Sequence, residues 1–89
     1  NMYSKKYILE EIEEFNKPNP IYKDIKGAVC YPAYFEVGER GWFLWESKDW
    51  FSNMHRIHTS VIDNLIYIGN EKIIVTTQNT RFVFKLVSK

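Results

Sequence analysis

The segment Met54–Ile68, MHRIHTSVIDNLIYI, decides the fold that we expect for this chain. It is rich in β-branched residues and contains neither Gly nor Pro, a composition typical of an extended strand. Two further apolar runs follow it after short polar turns, KIIVTTQ at 72–78 and RFVFKLV at 81–87. We therefore predict an antiparallel β-unit in which the long strand bends or bulges near Thr59-Ser60 or Asp63-Asn64.

Shorter apolar runs upstream predict the remaining strands. Residues 28–31 (AVCY) favour a short edge strand that ends at Pro32, because proline cannot donate to a strand ladder. Residues 33–37 (AYFEV) and 42–46 (WFLWE) favour two more strands. Gly38-Glu39-Arg40-Gly41 joins them with two glycines in four residues, which indicates a tight turn.

The amino-terminal segment predicts a helix over about residues 4–16. Ser4 can cap it, and Ile8, Ile12 and Phe15 recur at helical spacing to form one apolar stripe. The Pro-Asn-Pro run that follows ends the helix. Residues 21–27 allow either a helical turn or an irregular crossing, and both alternatives stay open at this point.

Together these elements predict an α+β fold. We expect an N-terminal helix packed on a curled antiparallel five-stranded sheet, in the form of a small SH3-like barrel. A helix laid on a flatter, twisted sheet is the alternative, and the sequence does not separate the two. A length of 89 residues predicts a single domain over 1–89, with the β-unit at about 28–87.

Composition narrows the classes of protein to consider. The hydrophobic content of 45% is ample for a folded core, and the net charge of +1 gives no overall field to attract nucleic acid. No apolar run reaches the roughly 18 residues of a membrane helix, so no membrane association is expected. The single Cys30 and the lack of a visible secretory leader predict a cytoplasmic location.

The sequence favours a protein without enzymatic activity. His55 and His58 invite a metal interpretation, but residues three apart on a strand point to opposite faces, so no metal site or cofactor is predicted. Residues 57–61 (IHTSV) are similar to half of the signature of two-histidine phosphoesterases. That chemistry needs a second such histidine as acid or base, and the residues after His55 do not repeat the pattern.

The most informative feature is the density of aromatic residues between positions 31 and 51. Eight of these 21 residues are Phe, Tyr or Trp. Alternation places Trp42 and Leu44 on one face of their strand and Phe43 and Trp45 on the other. A barrel this small buries only one face of each strand. The second face either packs beneath the helix or is presented to a partner.

We therefore predict a protein-binding module that meets a protein partner, or a second copy as a dimer, through the aromatic region 42–58. Arg and Trp are the residues that most often dominate protein interfaces. The predicted binding residues are Trp45, Trp50, Phe51, Arg56, His58 and Arg81. The alternative is a small nucleic-acid or nucleotide-binding domain, which requires Arg56, His58, Arg81 and Lys85 to share one surface.

Two segments also carry a resemblance. RIHTSV at 56–61 and VTTQNTRFVF at 75–84 resemble a pattern in small uncharacterised β-rich proteins of Gram-positive bacteria, phages and mobile elements. The resemblance implies an accessory protein of a phage or mobile element that binds a host factor. It implies no fixed activity and carries no functional residues with it.

Overall fold

A computed structural model describes residues 5–47 and 53–88. Six strands and one helical turn follow each other in the order β1 (Lys6–Glu14), α1 (Tyr22–Ile25), β2 (Val29–Tyr34), β3 (Arg40–Glu46), β4 (Met54–Ile68), β5 (Lys72–Thr77) and β6 (Thr80–Ser88). Each strand pairs antiparallel with the next, and β1 pairs with β6, so the sheet closes into a barrel. The predicted antiparallel barrel is therefore confirmed, whereas the helix and the count of five strands are wrong.

Strand β4 confirms the prediction made from its composition. Residues 54–61 pair with β3, and residues 62–68 pair with β5. The register shifts by a residue near Thr59-Ser60 against β3 and near Asp63 against β5, so both predicted bulge positions are confirmed. Bulges add twist and bend a strand. The bend lets the first half of β4 pair with β3 and the second half pair with β5.

The helix predicted over residues 4–16 is replaced by β1, as far as that range is described. Leu9 and Ile12 lie opposite Phe84 and Phe82 of β6, and a register shift separates Leu9 from Glu11. This bulge inserts a residue, so two side chains three positions apart face the same interior. Ile8 and Ile12 of the predicted helical stripe therefore lie on opposite faces of β1, and Phe15 lies beyond its end and is exposed.

β2 continues through Pro32, where the sequence predicted the end of one strand and the start of another, whereas the strand that the sequence missed is β1. Pro32 lies opposite Phe43, and a register shift follows before Tyr34. On its other side β2 pairs with β1 only at Val29 and Cys30. In the described part of the chain the far side of Pro32 therefore lacks a strand partner, and a missing N–H costs no ladder bond there.

Four phenylalanines fill the barrel. Phe43 meets Phe84 with ring centroids 5.0 Å apart and Phe82 at 5.9 Å, while Phe35 lies 5.5 Å from Phe84. The predicted alternation in β3 is confirmed, because Phe43 and Trp45 are buried. Their neighbours Trp42 and Leu44 lie outside and are half-buried. β3, β5 and β6 match the predicted strands 42–46, 72–78 and 81–87 to within two residues at each end.

The helical alternative for residues 21–27 is the correct one. The single turn α1 buries Ile25 and sets the ring of Tyr22 edge-on to Phe82 at 5.5 Å. The described helical element is thus this single turn, which follows β1 in the chain, whereas the predicted helix lay where β1 is found. In the described part of the chain no helix combines the length and apolarity that crossing a membrane requires.

Candidate functional site

Two rows of side chains cross the outside of the barrel over β2, β3 and β4. Pairing aligns Tyr34, Trp42 and His58 in the first row. The second row contains Leu44 opposite Arg56. We call these five residues the outer face. They lie on the side of β3 opposite to Phe43 and Trp45, so none of them contributes to the barrel interior.

Arg56 and Trp42 form the centre of the outer face. The guanidinium carbon of Arg56 lies 4.8 Å from the centroid of the Trp42 ring, within the range of a cation–π contact. The His58 ring lies 6.4 Å from the Trp42 ring, with the two planes tilted by 36°. Arg56 and His58 are exposed. A guanidinium lying against an aromatic ring still offers N–H groups at its edge, so Arg56 can bind a carboxylate.

A buried tyrosine borders the second row. Tyr31 lies opposite Leu44, and its hydroxyl donates to Oε1 of Glu46 at 2.8 Å. Burial, with the Glu46 hydrogen bond adding to it, raises the pKa of Tyr31 to about 12. The phenol therefore stays neutral at physiological pH, and its hydrogen bond fixes this edge of the outer face.

An acidic pair borders the first row. The Tyr34 hydroxyl lies 2.5 Å from Oε2 of Glu36 and 2.7 Å from Oε2 of Glu39. These hydrogen bonds raise the pKa of Tyr34 and lower the pKa of Glu36. The outer face thus has a cationic side at Arg56 and an anionic side at this cluster, which gives an incoming partner a preferred orientation.

Tyr34→Phe is expected to raise the pKa of Glu36 towards its ordinary value. The lowered pKa is caused first by the hydrogen bond from Tyr34, which this substitution removes. Ionised Glu36 stabilises the fold above its unfolded pKa, and this contribution is lost as pH falls through the lower folded pKa. The variant should therefore show a weaker dependence of Tm on acid pH. Carboxyl ¹³C shifts measured against pH give the Glu36 pKa directly.

Tyr22→Phe is the matched control for this titration. Tyr22 is the first residue of α1 and packs against Phe82, away from the outer face. It should leave the pKa of Glu36 unchanged. An equal Glu36 pKa in the wild type and in Tyr34→Phe would show that the phenol does not hold the carboxylate.

The structure brings together only part of the predicted binding set. Arg56 and His58 share the outer face. Trp45 points into the core, where it is 8% exposed and its ring lies 4.8 Å from that of His55. Trp50 and Phe51 lie outside the described residues. Trp42 is absent from the predicted set, although the alternation along residues 42–46 placed it opposite to Trp45.

Arg81 lies apart from these residues. It pairs with Thr76 of β5, and Thr76 pairs with Asn64 of β4. Asn64 is about six residues from His58 along the strand, or roughly 20 Å. Lys85 lies further along β6, level with Lys72. Of the four residues that the nucleic-acid alternative requires on one surface, Arg56 and His58 share the outer face, whereas Arg81 and Lys85 lie elsewhere on the barrel.

The two histidines face opposite sides of β4, as alternation predicted. His55 lies against Trp45 and His58 against Trp42. Within residues 5–47 and 53–88, no cluster of three or more His, Cys, Asp or Glu side chains is arranged to hold a metal ion. Cys30 is fully buried, and burial raises the pKa of its thiol to about 12. The thiolate required of a nucleophile is therefore disfavoured at neutral pH.

The chain matches no known protein family, no curated protein and no solved structure. Its structure defines it as a closed six-stranded antiparallel barrel that carries Arg56 over the ring of Trp42 on its outer face.

Proposed function

We propose that this protein is a non-enzymatic binding module that docks a protein partner on the outer face. The observation that carries the proposal is the Arg56 guanidinium held over the ring of Trp42, with His58 beside it, on rigid neighbouring strands. Trp and Arg are the side chains most enriched among residues that dominate binding energy. Strands hold such groups more rigidly than loops do, which lowers the entropy lost on binding.

The chemistry of the face specifies the partner. The Arg56 guanidinium can donate hydrogen bonds to a carboxylate of the partner. The half-buried Trp42 and Leu44 can pack against an apolar side chain next to that carboxylate. The Tyr34–Glu36–Glu39 cluster repels an acidic group placed at the opposite side. We propose a partner surface with one acidic group beside an apolar side chain.

The resemblance of residues 56–61 and 75–84 supports an accessory role in a phage or mobile element, with a host protein as the partner. A small SH3-like barrel, the finer architecture that we propose for this fold, suits such a role, because these barrels host many unrelated binding functions. The proposed location is the cytoplasm, which suits the unpaired thiol of Cys30.

Arg56→Ala is expected to weaken partner binding by at least about tenfold, the size of loss typical of an interface residue of high energy. The partner is first captured on the immobilised protein from cells of the source organism and identified by mass spectrometry. It is then purified, and its affinity for each variant is measured by calorimetry. Because Arg56 is exposed, the Tm of the variant should stay close to that of the wild type.

Lys85→Ala is the matched control, since it removes an exposed cation from β6, away from the outer face. It should leave the affinity unchanged. A purified partner that binds Arg56→Ala and wild type equally would contradict the proposal. So would a partner whose affinity falls only with Lys85→Ala.

A further inference from the structure

The second half of β4 has an open edge. β3 stops covering β4 at the pair Arg40–Val61. The loop before β3 then bonds only Ile62, whose N–H donates to the carbonyl of Glu39 at 2.9 Å and whose carbonyl accepts from the N–H of Gly38 at 2.9 Å. Residues 63–68 pair with β5 on their other side. No other strand of the described chain pairs with them.

Two hydrogen bonds show which backbone groups point out of this edge. The N–H of Leu65 donates to its neighbour's side chain, Oδ1 of Asn64, at 3.0 Å. At the turn that joins β4 to β5, the carbonyl of Ile68 accepts from the N–H of Glu71 at 3.0 Å, so the backbone groups of Ile68 face β5 and those of Leu65 face away from it. In an antiparallel ladder, groups on one side recur at every second residue. The N–H and C=O of Tyr67 therefore point the same way as those of Leu65. The edge offers two residues with backbone donors and acceptors to a further strand.

The side chains along the edge are apolar and exposed. Ile66, Tyr67 and Ile68 are 43%, 59% and 49% exposed. Asp63 is the only charged residue in the range 63–68, and the range contains no proline. Natural edges are usually protected from pairing by lysine, proline or a cover. On this edge the Asn64 amide is the one side chain seen bonded to a backbone donor.

We propose that two copies of this protein pair through this edge, with β4 antiparallel to β4 of a second copy about a twofold axis at Ile66. That register sets Leu65 opposite Tyr67 of the second copy, so the backbone groups of the two residues bond each other in about four hydrogen bonds. In the dimer the Leu65 N–H donates to the carbonyl of Tyr67 of the second copy in place of Oδ1 of Asn64. It places Ile66 opposite Ile66 of the second copy, and it keeps the two Asp63 carboxylates at opposite ends of the paired strands. A twofold pairing needs one self-complementary surface, which an apolar edge with a single terminal charge provides.

The expected dimer is weak because the interface is small. One pair of short strands buries less than the roughly 1,200–2,000 Å² of a standard stable interface. We expect monomers near about 1 µM and mainly dimers near about 1 mM. The outer face lies over β2 and β3 and the first half of β4, so this pairing is independent of the proposed function.

Sedimentation equilibrium of the full chain between about 10 µM and about 1 mM tests the proposal. Wild-type protein should approach twice the monomer mass, and amide ¹⁵N shifts that change on dilution should centre on residues 63–68. Ile66→Lys should weaken association by at least about tenfold, because it sets two ammonium groups against each other at the axis. Tyr67→Pro should weaken it as well, because it removes an edge donor.

Val61→Lys is the matched control. Val61 lies on the same strand and is 49% exposed, but β3 covers its edge. It should leave the association unchanged, and circular dichroism should show every variant folded. A wild type that stays monomeric near 1 mM would overturn the proposal, as would a dimer weakened by Val61→Lys but not by Ile66→Lys. Dilution shifts centred on Trp42 and His58 would also overturn it. If this edge of β4 binds only extended segments of another protein, the wild type will stay monomeric near 1 mM, and the proposed dimer will be wrong.

Discussion

Phe43→Ala is expected to lower the free energy of unfolding by about 3–5 kcal/mol. Phe43 is fully buried and contacts three other phenylalanine rings, Phe35, Phe82 and Phe84. Truncation removes its transfer energy and leaves a cavity that the surrounding strands, fixed by pairing on both sides, cannot fill. A domain of this size has about 5–10 kcal/mol of stability in total, so the variant should be only marginally folded.

Urea unfolding at 25 °C measures this loss. Phe43→Leu keeps most of the volume and should lose much less. Phe15→Ala removes the same ring from an exposed position and should change stability by about 0.5 kcal/mol or less. A loss below about 1.5 kcal/mol for Phe43→Ala would mean that the four-ring cluster is not the centre of the core.

Gly41→Ala is expected to cost about 2–3 kcal/mol, because there is no room for a Cβ at this position. The added carbon would lie 2.8 Å from the carbonyl oxygen of Tyr34, 2.7 Å from Cδ1 of Phe35 and 2.9 Å from Cδ1 of Ile62. The carbonyl belongs to the end of β2 and cannot rotate away as a side chain can. The backbone of Gly41 is also held, since its N–H donates to Oγ1 of Thr59 at 2.9 Å.

Gly69→Ala separates this steric cost from the cost of backbone conformation. Gly69 has φ +53 in the β4–β5 turn, and a Cβ there would meet nothing within 4 Å. Its substitution should cost about 1–2 kcal/mol through the left-handed conformation alone. Both variants are compared by urea unfolding. If Gly41→Ala lowered the free energy of unfolding by no more than Gly69→Ala does, the backbone of β2 would not approach Gly41 of β3 as closely as described.

The sequence predicts β3, β4, β5 and β6 because each shows a simple pattern of composition or alternation. It fails for β1, because Ile8 and Ile12 fall at helical spacing although a bulged strand places them on opposite faces. It fails again at Pro32, because whether a proline is tolerated depends on whether the strand has a partner on the side of the missing N–H. That depends on how far β1 runs beside β2, which no local pattern contains.

The candidate site shows the same division. Arg56 and His58, both in the predicted set, lie two apart on one strand, and alternation alone is enough to place them on one face. The contact of Arg56 with Trp42 depends on the register between β3 and β4, and that register shifts at a bulge. The position of Arg81 depends on two successive registers, so its distance from His58 could not be inferred from the sequence.

The closure of the barrel joins the first strand to the last, with Lys6 opposite Ser88. The other five pairings connect strands that follow one another along the chain. Of the six strand pairings, the pairing of β1 with β6 therefore costs the most chain entropy to begin, because nearly the whole polypeptide forms the loop between the two strands. Topologies dominated by distant contacts fold in milliseconds to seconds, far more slowly than helical bundles. We infer that joining β1 to β6 limits the folding rate of this protein.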